Sequence, residues 1–256
     1  MAEPRPELLR TRDLRAALHA FGDIAEGAHD AAGFAQTGVA ALRALVPSEL
    51  VTLSRCDLLI GQRIVFGARP GAIGADARAA FDRHFEQHPL VRYHAFEHGL
   101  YAHRISDSLP MARFRETSLF HDYYRRVGLT HALALPVRMD GRELVSFVFN
   151  REGHDFADRE LALLDALRRP LGLLFGRIHA AERAPPAMDA LRLARHAITL
   201  REAEVLQWLA AGKTDRENGV LLGFSPRTVH KHLQHCYTKL GVETRTAAVM
   251  RALGRG

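Results

Sequence analysis

Lysine is absent from residues 1–183, cysteine occurs only twice, and no apolar run approaches the roughly 20 residues that a membrane-spanning helix needs. Without a lysine, the first part of the chain cannot be a phosphoacceptor receiver domain, which needs one after its fifth strand. The two cysteines, Cys56 and Cys236, provide no disulfide framework and are expected to be reduced. The first residues show no signal peptide, so we expect a cytoplasmic protein without a membrane segment.

The net charge of +6 is concentrated in the last part of the chain. Residues 184–256 contain 11 Lys and Arg against 6 Asp and Glu, whereas residues 1–183 contain 24 against 23. A basic excess confined to one short region favours nucleic acid as a partner over a membrane surface. Two consecutive prolines mark a boundary. We therefore predict a first domain over 1–183, a linker over 184–197 and a second domain over 198–256.

Several helices are predicted after residue 198, because each has a recognisable start. Thr199 with Glu202, and Thr214 with Glu217, fit the capping box, in which a threonine caps the helix and a glutamate reaches back to it. Ser225 is a further cap, and a proline follows it at the first helical position. These signals predict helices near 200–211, 215–222, 226–239 and 245–253, with a short glycine-containing turn between the second and third.

The third of these helices separates an apolar face from a polar one. Its apolar residues recur at spacings of three and four, which predicts a stripe that faces the core: Val229, Leu233, Cys236, Tyr237 and Leu240. The opposite face is basic and rich in histidine. Exposed residues near the start of such a helix suit the edges of DNA bases, and flanking Lys, Arg and Thr suit phosphates. Taken one at a time, these charges are equally typical of a solvated helix face.

The region resembles the LuxR-type (FixJ/NarL-type) DNA-binding domain. The resemblance lies in the LTxRE-like motif around Leu200, in Gly212-Lys213-Thr214, in Ser225 to His232, and in Lys239 to Val242. It implies a helix-turn-helix unit in which His230, Lys231 and Gln234 read bases. Positions that contact the DNA backbone or stabilise the fold in that family fall on Thr214, Thr228, His232, Lys239 and Arg245.

Double-stranded DNA is therefore the expected partner. The resemblance implies a homodimeric, sequence-specific transcription regulator and is compatible with contacts to RNA polymerase. The residues predicted to contact DNA are Thr214, Ser225, Arg227, Thr228, His230, Lys231, Gln234, His235, Lys239 and Arg245.

One pair departs from the family pattern, which has Glu-Ile-Ala in the second helix. Here Asn218 and Gly219 follow the glutamate. A buried Asn without a partner costs roughly 1–3 kcal/mol, and Gly in place of Ala costs about 1 kcal/mol. Either the domain is softened, or Asn218 finds a backbone partner. We predict that Asn218→Ile raises the melting temperature of the isolated C-terminal domain; an unchanged or lower value would show that Asn218 is already satisfied.

Residues 1–183 show a mixed pattern that resembles a GAF- or PAS-like sensor sandwich. Asp140-Gly141 is a strong hairpin signal, and residues 51–56 alternate like a half-buried strand. An apolar stripe on the last helix could pack on the sheet or form a dimer seam. The predicted fold class is an α/β N-terminal sandwich followed by a small all-α four-helix domain. The helices of the N-terminal sandwich are predicted near 5–28, 31–45, 75–98 with a break at Pro89, 117–126 and 157–183, and its strands near 51–56, 63–68, 132–139 and 143–150.

The helical insert between the strands is dense in aromatic residues, which suit an apolar pocket or an ordinary core. The candidate ligand contacts are Tyr93, Phe96, Tyr101, Phe120 and Tyr124. Acyl-homoserine-lactone receptors of the LuxR family use Trp, Tyr and an Asp-Pro pair. This chain has no Trp before Trp208, and His88-Pro89 stands where Asp-Pro is sought, so that branch is disfavoured. A regulator that needs no ligand, controlled by protein contacts or abundance, is the alternative.

Other chemistries find little support. His84 with His88, and His94 with His98, have the i, i+4 spacing of metal ligands, but no cysteine pair or carboxylate cluster completes a site. We therefore predict no metal and no cofactor. No nucleophile–base pair or phosphate-binding loop is visible, so an enzyme is not expected. An interaction protein whose altered second helix no longer binds DNA is a further alternative.

Overall fold

The computed structural model describes residues 6–67, 73–183 and 188–254. The chain divides into two compact units, Met1–His179 and Ala180–Gly256. Part of the predicted linker, 184–187, lies outside the described residues.

The N-terminal unit combines helices with one antiparallel sheet. Its helices are α1 (Thr11–Gly27), α2 (Ala31–Leu45), α3 (Ala75–Arg83), α4 (Pro89–Val91), α5 (Ile105–Ser108), α6 (Met111–Arg115) and α7 (Asp158–Arg183). Short 3-10 turns cover Pro6–Leu8 and Phe85–Gln87, and π-helical turns cover Arg92–Phe96 and Phe120–Tyr124. The strands are β1 (Leu50–Asp57), β2 (Gln62–Phe66), β3 (His103–Arg104), β4 (His131–Met139) and β5 (Glu143–Arg151), in the order β2-β1-β5-β4-β3. This architecture confirms the predicted α/β sandwich.

One face of the sheet packs against α1, α2 and α7. Because successive side chains of a strand point to opposite faces, Leu53 of β1 and Phe147 of β5 lie on this side. The ring of Phe34 on α2 lies 5.5 Å from that of Phe147. The apolar stripe of α7 is buried in the same core, at Leu164, Leu171, Phe175 and Ile178. The stripe therefore packs on the sheet, and its buried members are not available as a dimer seam.

The opposite face of the sheet is covered by α3, α4 and the turn Phe120–Tyr124. Leu144 of β5 and Phe81 of α3 belong to this second core. The prediction of a half-buried strand at 51–56 is wrong, because Thr52 and Ser54 are only 2% and 3% exposed. The helical insert covers the polar side of β1, so Thr52 and Ser54 are buried as well as Val51 and Leu53.

The other predicted helices and strands are present, but their bounds differ from those expected. The first helix begins at Thr11 rather than near residue 5, because the Asp13 carboxylate accepts a hydrogen bond from the Arg10 N–H and closes the first turn. The helix predicted over 75–98 ends at Arg83 and continues as short turns, and the 117–126 helix is largely a π-helical turn. The elements β3, α5 and α6 are too short to show a period and were not predicted.

The C-terminal unit confirms the predicted helices closely. It contains α8 (Ala190–Arg195), α9 (Leu200–Ala210), α10 (Asp215–Leu222), α11 (Pro226–Leu240) and α12 (Arg245–Leu253). The side chains of Thr199, Thr214, Ser225 and Thr244 accept hydrogen bonds from backbone N–H groups at the starts of α9 to α12. Within the predicted linker, α8 is an unpredicted helix. Its Leu193 is buried in the core of this unit with Val205 and Val229.

Candidate DNA-binding surface and ligand cleft

The helix-turn-helix geometry rests on the turn between α10 and α11. Gly223 ends α10 with a positive φ of 72°, which an L side chain adopts at a cost. Ser225 then caps α11, since its Oγ accepts from the Thr228 N–H at 3.1 Å and lies 2.8 Å from the Thr228 hydroxyl. Both hydroxyls are thus engaged with each other at the start of α11, although both remain exposed.

The polar face of α11 is exposed because its apolar stripe is buried. Val229, Leu233, Cys236 and Leu240 are at most 2% exposed. That burial leaves Arg227, His230, Lys231, Gln234 and His235 on the outside. Lys231 and Arg227 form no ion pair with another described residue, and a weak 3.4 Å contact joins Gln234 to His230. Five polar side chains are therefore exposed on one side of α11.

Lys239 is half-buried and forms its ion pair within the domain. Its Nζ lies 2.7 Å from Oε2 of Glu202, a residue only 3% exposed that also accepts hydrogen bonds from Thr199. Burial raises the pKa of Glu202, but the hydrogen bonds from Lys239 and Thr199 outweigh it and hold the pKa below its usual value. His235 Nδ1 lies 3.8 Å from the same carboxylate. Lys239 thus tethers α11 to α9.

Arg245 is also engaged within the domain. One guanidinium nitrogen lies 2.6 Å from Asp215 Oδ1, and another donates to the Lys213 carbonyl. His230 Nδ1 lies 3.6 Å from the other oxygen of Asp215. Thr214 caps α10 and donates its hydroxyl to Glu217 at 2.8 Å. These contacts hold in place the side chains that border the exposed polar side of α11.

The unusual pair in α10 is partly explained by its surroundings. Asn218 is completely buried, and its Nδ2 donates to the Val205 carbonyl of α9 at 3.0 Å, whereas its Oδ1 has no partner among the described residues. A Cβ on Gly219 would lie 2.6 Å from the Phe224 carbonyl oxygen. The glycine therefore permits a close approach of the turn to α10, and the amide has found one backbone partner.

A cleft of about 440 Å³, including its opening to solvent, lies on the second face of the N-terminal sheet. The space that a water-sized sphere can occupy inside it is about 30 Å³, which is room for a few water molecules. The cleft is lined by β-strand residues and by the covering insert: Ser54, Cys56, Arg63, Phe81, His88, Leu90, Val91, His94, Tyr123, Tyr124, Ala134, Leu144, Ser146, Val148 and Asn150.

Several polar groups in this lining lack partners. Ser54 Oγ, Ser146 Oγ and His94 Nε2 are buried without a hydrogen bond among the described residues. His88 Nδ1 accepts from the Leu90 N–H at 3.2 Å, so its Nε2 donates to the Tyr124 hydroxyl at 2.8 Å. Burial lowers the pKa of His88 to about 3 and that of His94 to about 4, and both rings are neutral at pH 7. Buried polar groups without a protein partner are satisfied by water or by a ligand.

Only part of the predicted ligand set lines the cleft. Tyr124 does, whereas Tyr93 stacks on His103 with centroids 3.5 Å apart, and Phe96 is 51% exposed. Tyr101 lies 5.5 Å from the Arg168 guanidinium, and Phe120 packs on Phe114. Aromatic rings also build cores, so aromatic density alone does not distinguish the lining of this cleft from the core around it.

The histidine pairs that have metal-ligand spacing do not form sites. His84 pairs with Asp122 at 2.9 Å, while His88 bonds Tyr124. In the part of the chain that the structure describes, no cluster of three or more metal-binding side chains occurs. The described helices are likewise too short or too polar to span a bilayer.

Comparison with known proteins decides the nature of the C-terminal unit. Residues 196–252 match the family described as bacterial regulatory proteins, luxR family. These residues form a LuxR-family DNA-binding domain. The chain is 35% identical over 130 residues to the quorum sensing-dependent transcriptional regulator RpaR of Rhodopseudomonas palustris, covering 50% of this chain and 49% of RpaR. It is 42% identical over 60 residues to the transcriptional activator SolR of Ralstonia nicotianae, covering 23% and 25%.

The chain thus aligns with about half or less of the length of these curated relatives. They are transcription regulators by name, in agreement with the predicted non-enzymatic role. The fold of the N-terminal unit is similar to that of the VqsR LBD domain from Pseudomonas aeruginosa, with a TM-score of 0.52 and 17% identity over 64% of this chain and 97% of that one. The predicted resemblance and fold class are confirmed. The name of RpaR refers to quorum sensing, whereas the sequence of this chain disfavoured a lactone receptor.

Proposed function

We propose that this protein is a homodimeric, sequence-specific transcription regulator that acts in the cytoplasm and responds to a small molecule. The observation that carries the DNA-binding part is the α11 face, where Arg227, Lys231 and Gln234 project from a helix whose other side is fully buried. Two such helices in a dimer would read half-sites about one helical turn apart. The family resemblance supports a further contact with RNA polymerase.

The residues proposed to contact DNA divide into two groups by their present partners. Arg227, His230, Lys231, Gln234 and His235 are exposed, and we propose them as the contacting set. Lys239, Arg245, Thr214, Ser225 and Thr228 bond within the domain, so we propose that they orient α11 and reach phosphates through backbone groups or spare donors.

Substitution of Lys231 tests the DNA-binding proposal. After operator selection from random DNA, Lys231→Ala should weaken binding to the selected site by roughly 1–3 kcal/mol if it contacts a base. Fluorescence anisotropy with the full chain provides the affinities. Arg195→Ala is the matched control, because Arg195 is exposed on α8 outside the matched domain. Equal losses for both variants, or no selected sequence at all, would overturn base reading by Lys231.

Sensing is supported by the cleft and its unpartnered polar groups. We propose that a ligand bound between the sheet and the insert biases the placement of the LuxR-family domains. The alternative is a regulator controlled by protein contacts or abundance. It is favoured if native mass spectrometry of protein purified from its source never shows a bound small molecule and no ligand alters DNA affinity.

A further inference from the structure

We infer that Asp215 is a positioning residue for base recognition, because it orients the ring of His230 and the ring in turn sets the amide of Gln234 to bind adenine. This inference rests on the proposed DNA-binding function and specifies a base that α11 recognises. It follows from a chain of side-chain contacts that runs from the start of α10 to the exposed side of α11.

The carboxylate of Asp215 is held in place by Arg245. Asp215 is the first residue of α10, where the partial positive charge of a helix N-terminus favours an acidic side chain. Its Oδ1 accepts a hydrogen bond from Arg245, the first residue of α12, at 2.6 Å. A second nitrogen of the same guanidinium donates to the Lys213 carbonyl. One carboxylate oxygen is therefore engaged, and the other is left to face α11.

The second oxygen of Asp215 faces the imidazole of His230. Oδ2 lies 3.6 Å from Nδ1, which is an electrostatic contact rather than a hydrogen bond. A carboxylate carries negative charge and only accepts hydrogen bonds, so it favours the tautomer of His230 that has its hydrogen on Nδ1. In the neutral ring Nε2 then has the free lone pair and is an acceptor.

That acceptor determines which end of the Gln234 amide faces the ring. Gln234 is four positions after His230 on α11, and its Nε2 lies 3.4 Å from the imidazole Nε2. The amide therefore donates one of its two hydrogens to His230 and keeps the second hydrogen and Oε1 for DNA. An N–H donor beside a carbonyl acceptor fits N7 and the N6 amino group of adenine.

A purely structural role for Asp215 would end at Arg245. The carboxylate would then only tie α10 to α12, and its loss would change the stability of the domain or its affinity for every DNA sequence alike. A positioning role instead predicts a change of base preference at one position of the operator. If the His230 tautomer is reversed, the Gln234 amide turns over and presents its NH2 group, which fits the carbonyl oxygen of thymine or guanine.

The substitution Asp215→Asn reverses the tautomer without changing the shape of the side chain. Arg245 donates to the new amide oxygen, so the amide NH2 faces His230 and its Nδ1 becomes an acceptor. The operator position is first defined as the one at which Gln234→Ala abolishes base preference in selections from random DNA. There the wild-type chain should prefer adenine by at least about fivefold, and Asp215→Asn should prefer thymine or guanine.

Affinities are measured by fluorescence anisotropy with the full chain at about pH 8, where an imidazole is mostly neutral. Asp215→Ala and His230→Ala should each reduce the preference for adenine to less than about twofold, because the Gln234 amide then turns freely. Glu204→Gln is the matched control for the loss of charge, since Glu204 pairs with Arg201 within α9. It should leave the base preference unchanged.

Circular dichroism melting checks that each variant is folded. A wild-type preference for a base other than adenine at this position overturns the inference. So does an adenine preference that survives in folded Asp215→Asn and Asp215→Ala, or a Gln234→Ala variant that selects the same sequence as the wild type. A wild-type chain that selects no sequence at all would overturn the proposed regulator itself.

Discussion

Polar side chains occupy opposite places in the two units of this chain. On α11 they cover the outside of a helix whose apolar stripe is buried, as at Lys231 and Gln234. On β1 and β5 they lie between a sheet and its covering helices, as at Ser54 and Ser146. The exposed side chains stay hydrated and carry no desolvation cost, whereas the buried ones cost free energy unless a hydrogen-bond partner satisfies them. A polar residue therefore indicates a binding function most strongly where solvent cannot reach it.

Lys239 is an exception to this contrast. It was expected to contact DNA, but its side chain pairs with the buried carboxylate of Glu202. Lys239→Met should lower the free energy of unfolding by about 2–3 kcal/mol, because it leaves the buried Glu202 carboxylate without its cation. Urea denaturation measures the loss. Lys231→Met, on the exposed face, should leave stability within about 0.5 kcal/mol of wild type. A stability loss as large in Lys231→Met would erase the distinction between the two lysines.

Gly219 tests how tightly the turn holds α11. Gly219→Ala should destabilise the domain by about 1–3 kcal/mol and weaken operator binding, because its Cβ would meet the Phe224 carbonyl. Helix propensity alone predicts the opposite sign, a gain of about 1 kcal/mol. Gly176→Ala on α7 provides the control, since nothing lies within 4 Å of its Cβ position. Thermal denaturation and anisotropy report the two effects, and a stabilised Gly219→Ala would contradict the close approach.

Asp165 provides a buried ionisable group in the N-terminal unit. Burial raises its pKa to about 6, although its Oδ1 accepts from the Ala102 N–H at 2.6 Å. The folded state therefore binds the proton more tightly than the unfolded state, and the stability it contributes is present below pH 4 and lost as pH rises through 6.

Asp165→Asn should therefore stabilise the protein by about 1–2 kcal/mol at pH 8 and have little effect at pH 4, after allowance for partial exposure. Melting temperatures over this pH range measure the difference. Asp23→Asn on the exposed side of α1 is the control. A gain that does not depend on pH would show that the carboxylate is not protonated in the folded state.

The smallest effect is expected at Asn218, the buried polar residue of the DNA-binding unit. Asn218→Ile removes an unpaired Oδ1 but also the bond to the Val205 carbonyl, so the melting temperature should rise by an amount worth about 1 kcal/mol or less. Scanning calorimetry of the full chain detects it. A lower melting temperature would show that the single bond outweighs the unsatisfied oxygen.

Sequence patterns predicted the C-terminal unit almost residue by residue, because its helices carry local signals. Thr199 and Thr214 form the capping boxes that their spacing with Glu202 and Glu217 predicted. The same reasoning missed α8, which is too short to show a period, and did not reveal that Lys239 and Arg245 are tied to Glu202 and Asp215. Those partners lie about 30 or more residues away, and ion pairs across helices leave no local trace.

The longer helices and strands, the antiparallel hairpin and the polar face of α11 were determined by the sequence alone, since caps, turns and periodicity act between near neighbours. Only the tertiary structure decided that the polar side of β1 is buried. The alternation at Ser54 and Cys56 is the same whether solvent or a helical layer covers that side. The covering layer, which comes from residues farther along the chain, turns an ordinary strand into the wall of a cleft.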